Sequence, residues 1–253
     1  MEGGSRDPVS RNFLVPFLRW KTRSDVWCRS VVSALQVSRG TRNEASFTAV
    51  LLDDSSSPEK LSCSLTVCGE HVRTLRPDQS TCASLLNAAL LNRAKGTLMN
   101  SLDGKRGCCM GFWLEEGVGM FRAMGRLLHP SIGGTSPILL LLEEGAPPLQ
   151  GVLAELSPVP SSFLIVVGDN EGLTRELEVE IEAAVAAFGV PLRRCGLGGS
   201  ELLASQCCTI VNFCMDTVLG PSSCQKPSYD PLDKYADKVR PCPVCRPDHS
   251  DLQ

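Results

Sequence analysis

A glycine-rich turn between an apolar segment and an amphipathic one constrains the fold of this chain more than any other feature. Residues 163–167 are five consecutive apolar residues, with the length and β-branched content of a buried strand. The turn 168–172 follows, and Thr174 is placed to cap a helix. Glycines at such a turn let a ligand approach main-chain atoms closely. The pattern predicts a strand, a ligand-binding loop and a helix in succession.

The same alternation recurs along most of the chain. Strands are predicted over 12–18, 47–52, 62–68, 71–75, 137–142, 163–167 and 191–194. Helices are predicted from Ser24 up to Gly40, over 78–91, 118–128 and 174–188, and in a last segment that ends at Leu219. This last helix is expected to bury Leu203, Cys207, Ile210, Cys214 and Val218. The strands around Gly69 and Glu70 are expected to form a hairpin, and residues 93–117 fit no clear pattern. These units predict an open α/β sheet with a ligand at the carboxyl edge of its strands.

Composition limits the class of protein. With 253 residues and 43% hydrophobic content, the chain is long enough to bury one large core or two small ones. It has no run of about 20 apolar residues and no apolar secretory leader, so we expect a soluble protein of the cytoplasm or nucleus with no membrane partner. Many of the thirteen cysteines lie in apolar segments, so most are expected to be reduced packing residues.

The charge distribution leaves an RNA partner open. The net charge is −3, but residues 1–43 carry eight basic against three acidic residues. A phosphate-binding track is one interpretation of this segment, and ordinary solvated charge is the other. The candidates for the track are Arg19, Lys21, Arg23, Arg29, Arg39 and Arg42. The acidic residues gather in the predicted helix, at Glu176, Glu178, Glu180 and Glu182.

Two glycine loops carry the specific signal, and neither is a nucleotide-phosphate motif. The first, 168–172, lacks the spacing of a dinucleotide fingerprint, and the chain has no Gly-Lys-Ser/Thr of a phosphate loop. The second loop, 196–200, precedes the last predicted helix. Main-chain atoms and aliphatic walls, rather than reactive side chains, are expected to form the site.

Several motifs of one RNA methyltransferase family occur here in the same order. The matching stretches are 12–18 with 24–29 and 34–35, 69–78, 139–145, 168–174 and 197–207. Over about residues 11–218 the chain resembles the archaeal-type tRNA pseudouridine N1-methyltransferases, the TrmY family of the SPOUT superfamily. The resemblance implies an α/β fold with a SPOUT-type parallel sheet, helices on both faces and a C-terminal trefoil knot. It implies a single domain over 1–220, with the knot at about 137–219 and a tail over 221–253.

The resemblance also implies the ligands. S-adenosylmethionine is the expected cofactor, RNA is the expected substrate, with tRNA first, and a homodimer is expected to form the substrate groove from both chains. The matching positions that would hold the cofactor are Leu141, Leu142, Gly168, Gly172, Leu197, Gly198, Gly199, Leu202, Leu203 and Cys207. No metal is expected at this site, because the sulfonium already activates the methyl group.

The implied reaction is methylation of N1 of a pseudouridine, at position 54 in the TΨC loop of tRNA. Asp25 and Arg29, one helical turn apart, are candidates for holding or polarising the base, and the alternative is that they pair with each other. Asp169 either orients a ribose hydroxyl or the substrate, or caps the turn. Cys207 is interpreted as a pocket wall rather than a nucleophile.

The chain departs from the family at several positions near the expected site. Asn170 and Gly199 stand where the family commonly has His and Pro, and Ser205-Gln206 replaces Asp-His. These changes keep two alternatives open, namely a pseudouridine methyltransferase acting on ribosomal RNA and a catalytically silent RNA-binding protein. In the tail, Cys242 and Cys245 with His249 nearby are either half of a zinc site or unpaired cysteines.

Overall fold

A computed structural model describes residues 9–17, 24–38, 40–51, 63–72, 75–94, 111–128, 135–169, 172–199, 201–221 and 224–225. The strands are β1 Ser10–Phe17, β2 Gln36–Val37, β3 Gly40–Arg42, β4 Ala45–Leu51, β5 Cys63–Cys68, β6 Phe112–Glu116, β7 Ile138–Leu142, β8 Ser162–Val166, β9 Leu192–Cys195 and β10 Cys224–Gln225. The helices are α1 Ser24–Leu35, α2 Gln79–Ala94, α3 Met120–Leu127, α4 Leu149–Ala154, α5 Arg175–Phe188 and α6 Ala204–Leu219.

A seven-stranded sheet organises the chain, in the order β6-β5-β4-β1-β8-β7-β9. The strands from β4 to β9 in this order are parallel, and β5 and β6 extend the sheet antiparallel. Because β7, β8 and β9 are parallel neighbours, the loops that follow them leave the sheet at the same edge. The predicted α/β fold with a mostly parallel sheet is confirmed.

Helices cover both faces of the sheet. Phe13 and Ile165 point into a core with α1, α2, α4 and α6, which we call the front layer. Leu14 and Leu164 point the other way, into a core with α3 and α5, the back layer. Successive strand residues thus alternate between two apolar layers, which explains why these strands read as continuous apolar runs. No helix among the described residues is long and apolar enough to cross a membrane.

The predicted hairpin over 62–75 is wrong. Strand β5 instead pairs with β4 on one side and with β6, more than 40 residues away in sequence, on the other. Residues 69–71 form a turn against the β3–β4 connection, where a Cβ on Gly69 would lie 1.9 Å from the carbonyl oxygen of Arg42. Local turn residues suggested a hairpin, but the partner strand β6 lies in the segment that gave no clear pattern.

Two helix predictions also need correction. Helix α1 ends at Leu35 rather than at Gly40, because the chain turns into a small sheet in which β3 lies between β2 and β10. Helix α6 buries the stripe Ala204, Cys208, Val211, Asn212, Cys214 and Met215. Of the predicted stripe only Cys214 is buried, since apolar residues occur nearly all round this helix and the periodicity alone does not select one face. The division into a domain over 1–220 and a tail stays a prediction.

A buried ion cluster ties α6 to the sheet. Asp216 on α6 lies 2.7 Å from Nη1 of Arg11 on β1 and 2.8 Å from Nη2 of Arg42 on β3. Asn212, one turn earlier, accepts from Arg11 at 3.2 Å and donates to the carbonyl of Ala34 at 3.0 Å. Arg42 is only 8% exposed, so its assignment to a surface phosphate track is wrong. Its guanidinium instead forms an ion pair with Asp216 inside the fold.

Candidate functional site

The loops after β7 and β9 are joined by main-chain hydrogen bonds at the carboxyl edge of the sheet. The N–H of Glu143 donates to the carbonyl of Cys195 at 3.0 Å, and the N–H of Gly196 donates to Pro147 at 2.8 Å. Leu149 N–H in turn donates to the Gly196 carbonyl at 3.0 Å. A Cβ on Gly196 would lie 2.6 Å from the Ala146 oxygen, so the close approach requires glycine. Sequence reasoning missed Gly196, although it opens the second glycine loop.

The loop after β8 folds back on itself. The N–H of Gly172 donates to the carbonyl of Asp169 at 3.3 Å, and a Cβ on Gly168 would lie 2.8 Å from the carbonyl carbon of Gly172. Gly172 has a φ of +82°, in the left-handed region. Thr174 then caps α5 by accepting from Leu177 N–H at 3.4 Å, as predicted. The first loop is therefore a compact turn; Asn170 and Glu171 fall outside the described part.

Apart from Gly168 and Gly172 in the turn after β8, the expected cofactor residues divide into three groups. Leu142, Leu197 and Cys207 are half-buried and pack against the front layer, so they share one side of the sheet edge. Gly198 and Gly199 are exposed beside them, with a φ of +132° at Gly198, and the chain reaches α6 through half-buried Leu202 and exposed Leu203. Leu141 differs, because its side chain is buried in the back layer and only its main chain remains at the edge.

The cysteine thiols at this edge are protonated near neutral pH, as expected of a pocket wall and not of a nucleophile. Burial raises the pKa of the Cys207 thiol to about 11. Burial likewise raises the pKa of Cys195, at the end of β9, to about 12. Both therefore stay protonated near neutral pH and offer weakly polar, polarizable surfaces. Asp169 is 6% exposed, and its carbonyl accepts the hydrogen bond that holds the turn, so the role of its side chain stays a prediction.

An ion-pair network braces the same edge. Arg194 on β9 contacts Glu143, which follows β7, at 2.5 Å, and it also pairs with Glu182 on α5. The hydrogen bond that Arg194 donates to Glu143 raises the pKa of Arg194, and the one that it donates to Glu182 contributes as well. The network connects β7, β9 and α5, so one acid of the predicted acidic helix has a structural partner.

Asp25 and Arg29 pair with each other. Nη2 of Arg29 lies 2.7 Å from Oδ2 of Asp25, and the two side chains are 45% and 38% exposed, respectively. Six residues separate helix α1 from the end of β1, the parallel neighbour of β8, so the chain leaves β1 for α1 at the sheet edge that carries the loops. Arg19, Lys21, Arg23 and Arg39, the other candidates for the phosphate track, lie outside the described ranges.

Comparison with known proteins identifies the family of the chain. Residues 9–219 match the model of a family described as "Putative SAM-dependent RNA methyltransferase". The chain belongs to this family. It is 29% identical over 196 residues to a tRNA (pseudouridine(54)-N(1))-methyltransferase of Methanosarcina mazei, covering 77% of this chain and 78% of the relative. The enzyme of the same name from Methanococcoides burtonii is 28% identical, with 79% and 86% covered.

A solved structure supports the fold. Nep1 of Archaeoglobus fulgidus, bound to S-adenosylhomocysteine, superposes with a TM-score of 0.51 and 11% sequence identity, covering 84% of this chain and 99% of that one. At this identity the likeness concerns the fold alone. The family match, for its part, confirms the predicted S-adenosylmethionine-dependent RNA methyltransferase and its cofactor class.

Proposed function

We propose that this chain transfers the methyl group of S-adenosylmethionine to N1 of a pseudouridine in tRNA, at position 54. The supporting observation is that main-chain hydrogen bonds join the loops after β7 and β9 at the edge where the turn after β8 also leaves the sheet, in a chain whose methanogen relatives bear the name of that activity. We call these three loops the cradle. An uncharged cradle suits a nucleoside with an aliphatic, zwitterionic tail, because adenine is recognised by main-chain donors and acceptors between apolar walls.

The cradle residues fit the cofactor. Gly168, Gly172, Gly198 and Gly199 would expose main-chain groups to it, and the Leu141 main chain would add to them. The apolar walls would be the half-buried Leu142, Leu197, Leu202 and Cys207, with Leu203 at the rim. Bound S-adenosylmethionine supplies an activated methyl group. The tight packing of Gly168 and Gly196 keeps the loops in place before the ligand arrives, which lowers the entropic cost of binding.

The catalytic roles follow from charge and position. N1 of pseudouridine carries a weakly acidic proton, so a cation near the base stabilises the anion that forms as the proton leaves. Arg29 is the proposed cation, and Asp25, bonded to it at 2.7 Å, fixes its orientation. Asp169 is proposed to orient a ribose hydroxyl or the substrate from the end of β8. Correct placement of the base supplies most of the acceleration.

The proposed active unit is a homodimer in which the Asp25–Arg29 pair faces the cofactor of the partner subunit. Two exposed apolar residues support an interface on α6, since Phe213 is 64% exposed and Leu203 is 39% exposed. With half-buried Ile210 they follow a helical spacing along one side of α6. An aromatic residue this exposed is typical of a protein interface.

The trefoil knot over about 137–219 belongs to the same proposal. The interlaced hydrogen bonds between the loops after β7 and β9, just before α6, support it. The proposed RNA contacts use the basic residues of the first 43 positions other than the buried Arg11 and Arg42. A tRNA substrate would place the activity in the cytoplasm or nucleus.

The departures from the family favour a changed target over a lost pocket. The Oε1 atom of Gln206, where the family has His, accepts a hydrogen bond from Leu203 N–H at 2.8 Å and thereby caps α6. The substitution therefore has a structural use at the loop that holds the cofactor. A pseudouridine of ribosomal RNA is the alternative substrate, with the same cofactor site.

Calorimetric titration of the full chain with S-adenosylmethionine and S-adenosylhomocysteine tests the proposal. We expect saturable binding at about one site per chain, abolished by Gly198→Trp and unaffected by Ser84→Trp, an exposed position on α2. Methyl transfer is then measured on tRNA that carries either pseudouridine or uridine at position 54. Transfer only to the pseudouridine form supports the activity. Transfer only to ribosomal RNA selects the alternative, and a folded chain that binds neither ligand refutes both.

A further inference from the structure

The turn after β5 brings three metal-ligating side chains together. Cys68 ends the strand, and Glu70 and His71 follow within three residues. The thiol sulfur, a carboxylate oxygen and an imidazole nitrogen all lie within 4.8 Å of one another. Sγ of Cys68 is 3.3 Å from Nδ1 of His71. Cys68 is buried and Glu70 is half-buried.

The backbone that carries these ligands is fixed from both sides. Cys68 N–H donates to the carbonyl of Gly111 at 2.8 Å, beside β6, and Gly69 N–H donates to Ala45 at 2.9 Å, on β4. Within the turn, Val72 N–H donates back to the Cys68 carbonyl at 2.9 Å. A site on such a backbone is preorganised, because little chain entropy is lost when an ion binds.

We propose that Cys68, Glu70 and His71 bind one divalent cation of the zinc type, with water as the fourth ligand. In a tetrahedral zinc site, Zn–S of about 2.3 Å and Zn–N of about 2.0 Å place the sulfur and nitrogen about 3.5 Å apart. The 3.3 Å separation here is close to that value. A carboxylate oxygen of Glu70 lies within 4.8 Å of both of these atoms. A thiolate with an imidazole selects zinc over magnesium or calcium, which prefer oxygen ligands.

The site lies at the opposite edge of the sheet from the cofactor loops. Cys68 pairs with Ser46 near the start of β4, and β4 runs parallel to β1 and β8 toward the edge that carries those loops. The six-residue rise from Ala45 to Leu51 separates the two edges by on the order of 20 Å. The ion would therefore lie far from the cofactor loops and stabilise the turn after β5, and the inference does not depend on the proposed function.

Cobalt titration of the full chain tests the site. The background is the double variant Cys242→Ser/Cys245→Ser, which removes the cysteine pair of the tail. We expect thiolate-to-cobalt charge-transfer absorption that saturates at about one equivalent and is displaced by zinc. The absorption is lost in Cys68→Ser and His71→Ala, whereas Cys63→Ser, a buried cysteine at the other end of β5, keeps it.

Two results would overturn the assignment. In the first, the wild-type chain shows the cobalt absorption and the Cys242→Ser/Cys245→Ser variant does not. In the second, the absorption remains after Cys68→Ser although the circular dichroism spectrum shows that the chain is folded. If Cys68→Ser does not fold, the partly exposed His71→Ala decides, since it removes a ligand with little loss of packing. Two independent measurements accompany the titration. Zinc is expected to raise the melting temperature, and the affinity for S-adenosylmethionine is expected to stay unchanged.

Discussion

Replacing Asp216 with Asn is expected to destabilise the fold strongly, because Asp216 is the acid that two buried arginines share. Its carboxylate contacts Arg11 at 2.7 Å and Arg42 at 3.0 and 2.8 Å. The side chains of Arg11, Arg42 and Asp216 are 2%, 10% and 27% exposed, respectively. Asn keeps the size and one acceptor but removes the charge, and it leaves two neighbouring cations inside the fold.

Removal of one partner from a buried ion pair costs about 3–5 kcal/mol. We expect the lower end, about 3 kcal/mol, because Asp216 keeps some contact with water. For a chain of this length, that corresponds to a fall in melting temperature of about 6–12 °C. The matched control is Asp25→Asn, which breaks an ion pair of the same 2.7 Å length between exposed side chains and should change stability by no more than about 0.5 kcal/mol.

The pH dependence gives a second check on the same cluster. Burial alone would raise the pKa of Asp216, but hydrogen bonds from Arg42 and Arg11 outweigh it and hold the pKa below its usual value. A depressed folded-state pKa stabilises the chain above the unfolded value of about 4 and loses this contribution as the pH falls through the folded pKa. The difference between wild type and Asp216→Asn in urea unfolding should therefore be constant near neutrality and shrink below about pH 4. Equal stabilities of the two at pH 7, with folding intact, would refute the reasoning.

Three further variants test the site and the interface. Gly168→Ala should abolish S-adenosylmethionine binding in calorimetry, because its Cβ would lie 2.8 Å from Gly172, whereas Gly151→Ala on α4, with open space around it, should bind normally. Phe213→Ser should shift the proposed dimer toward monomer in analytical ultracentrifugation, and an unchanged mass distribution would contradict the α6 interface. Arg29→Ala should lower the single-turnover rate constant for methyl transfer by about 100-fold, while cofactor affinity stays the same.

The sequence predicts the elements that depend on local signals. The cap at Thr174 is confirmed, as are the apolar strands β7 and β8 and the helix predicted from residue 78, where Oδ1 of Asp78 accepts from Thr81 N–H at 2.7 Å. Long-range pairings are beyond such signals. Strand β5 pairs with β6, more than 40 residues away in sequence, and Arg11 pairs with Asp216, 205 positions away. Contacts between such distant positions produce no periodic pattern in the sequence.

The candidate site follows the same division. The turn at Gly168 is visible because a strand, a glycine turn and a helix cap occur in succession. Gly196 is not, since its need for glycine comes from the Ala146 carbonyl of another loop. Leu141 and Leu142 also look equivalent in sequence, and only the alternation of the strand sends one side chain into the back layer and the other to the front.

A site built from main-chain atoms changes with mutation differently from one built from reactive side chains. Its shape depends on the few glycines whose packing admits no Cβ, and here Gly168 and Gly196 meet that condition while Gly198 and Gly199 have open space. The family's Pro is replaced at one of the open positions, Gly199, and its His is replaced by Gln206, which caps α6. These two departures thus fall where the described main chain tolerates them. Selection on a site of this kind can alter the rim that meets the RNA while the surface that holds the cofactor is kept.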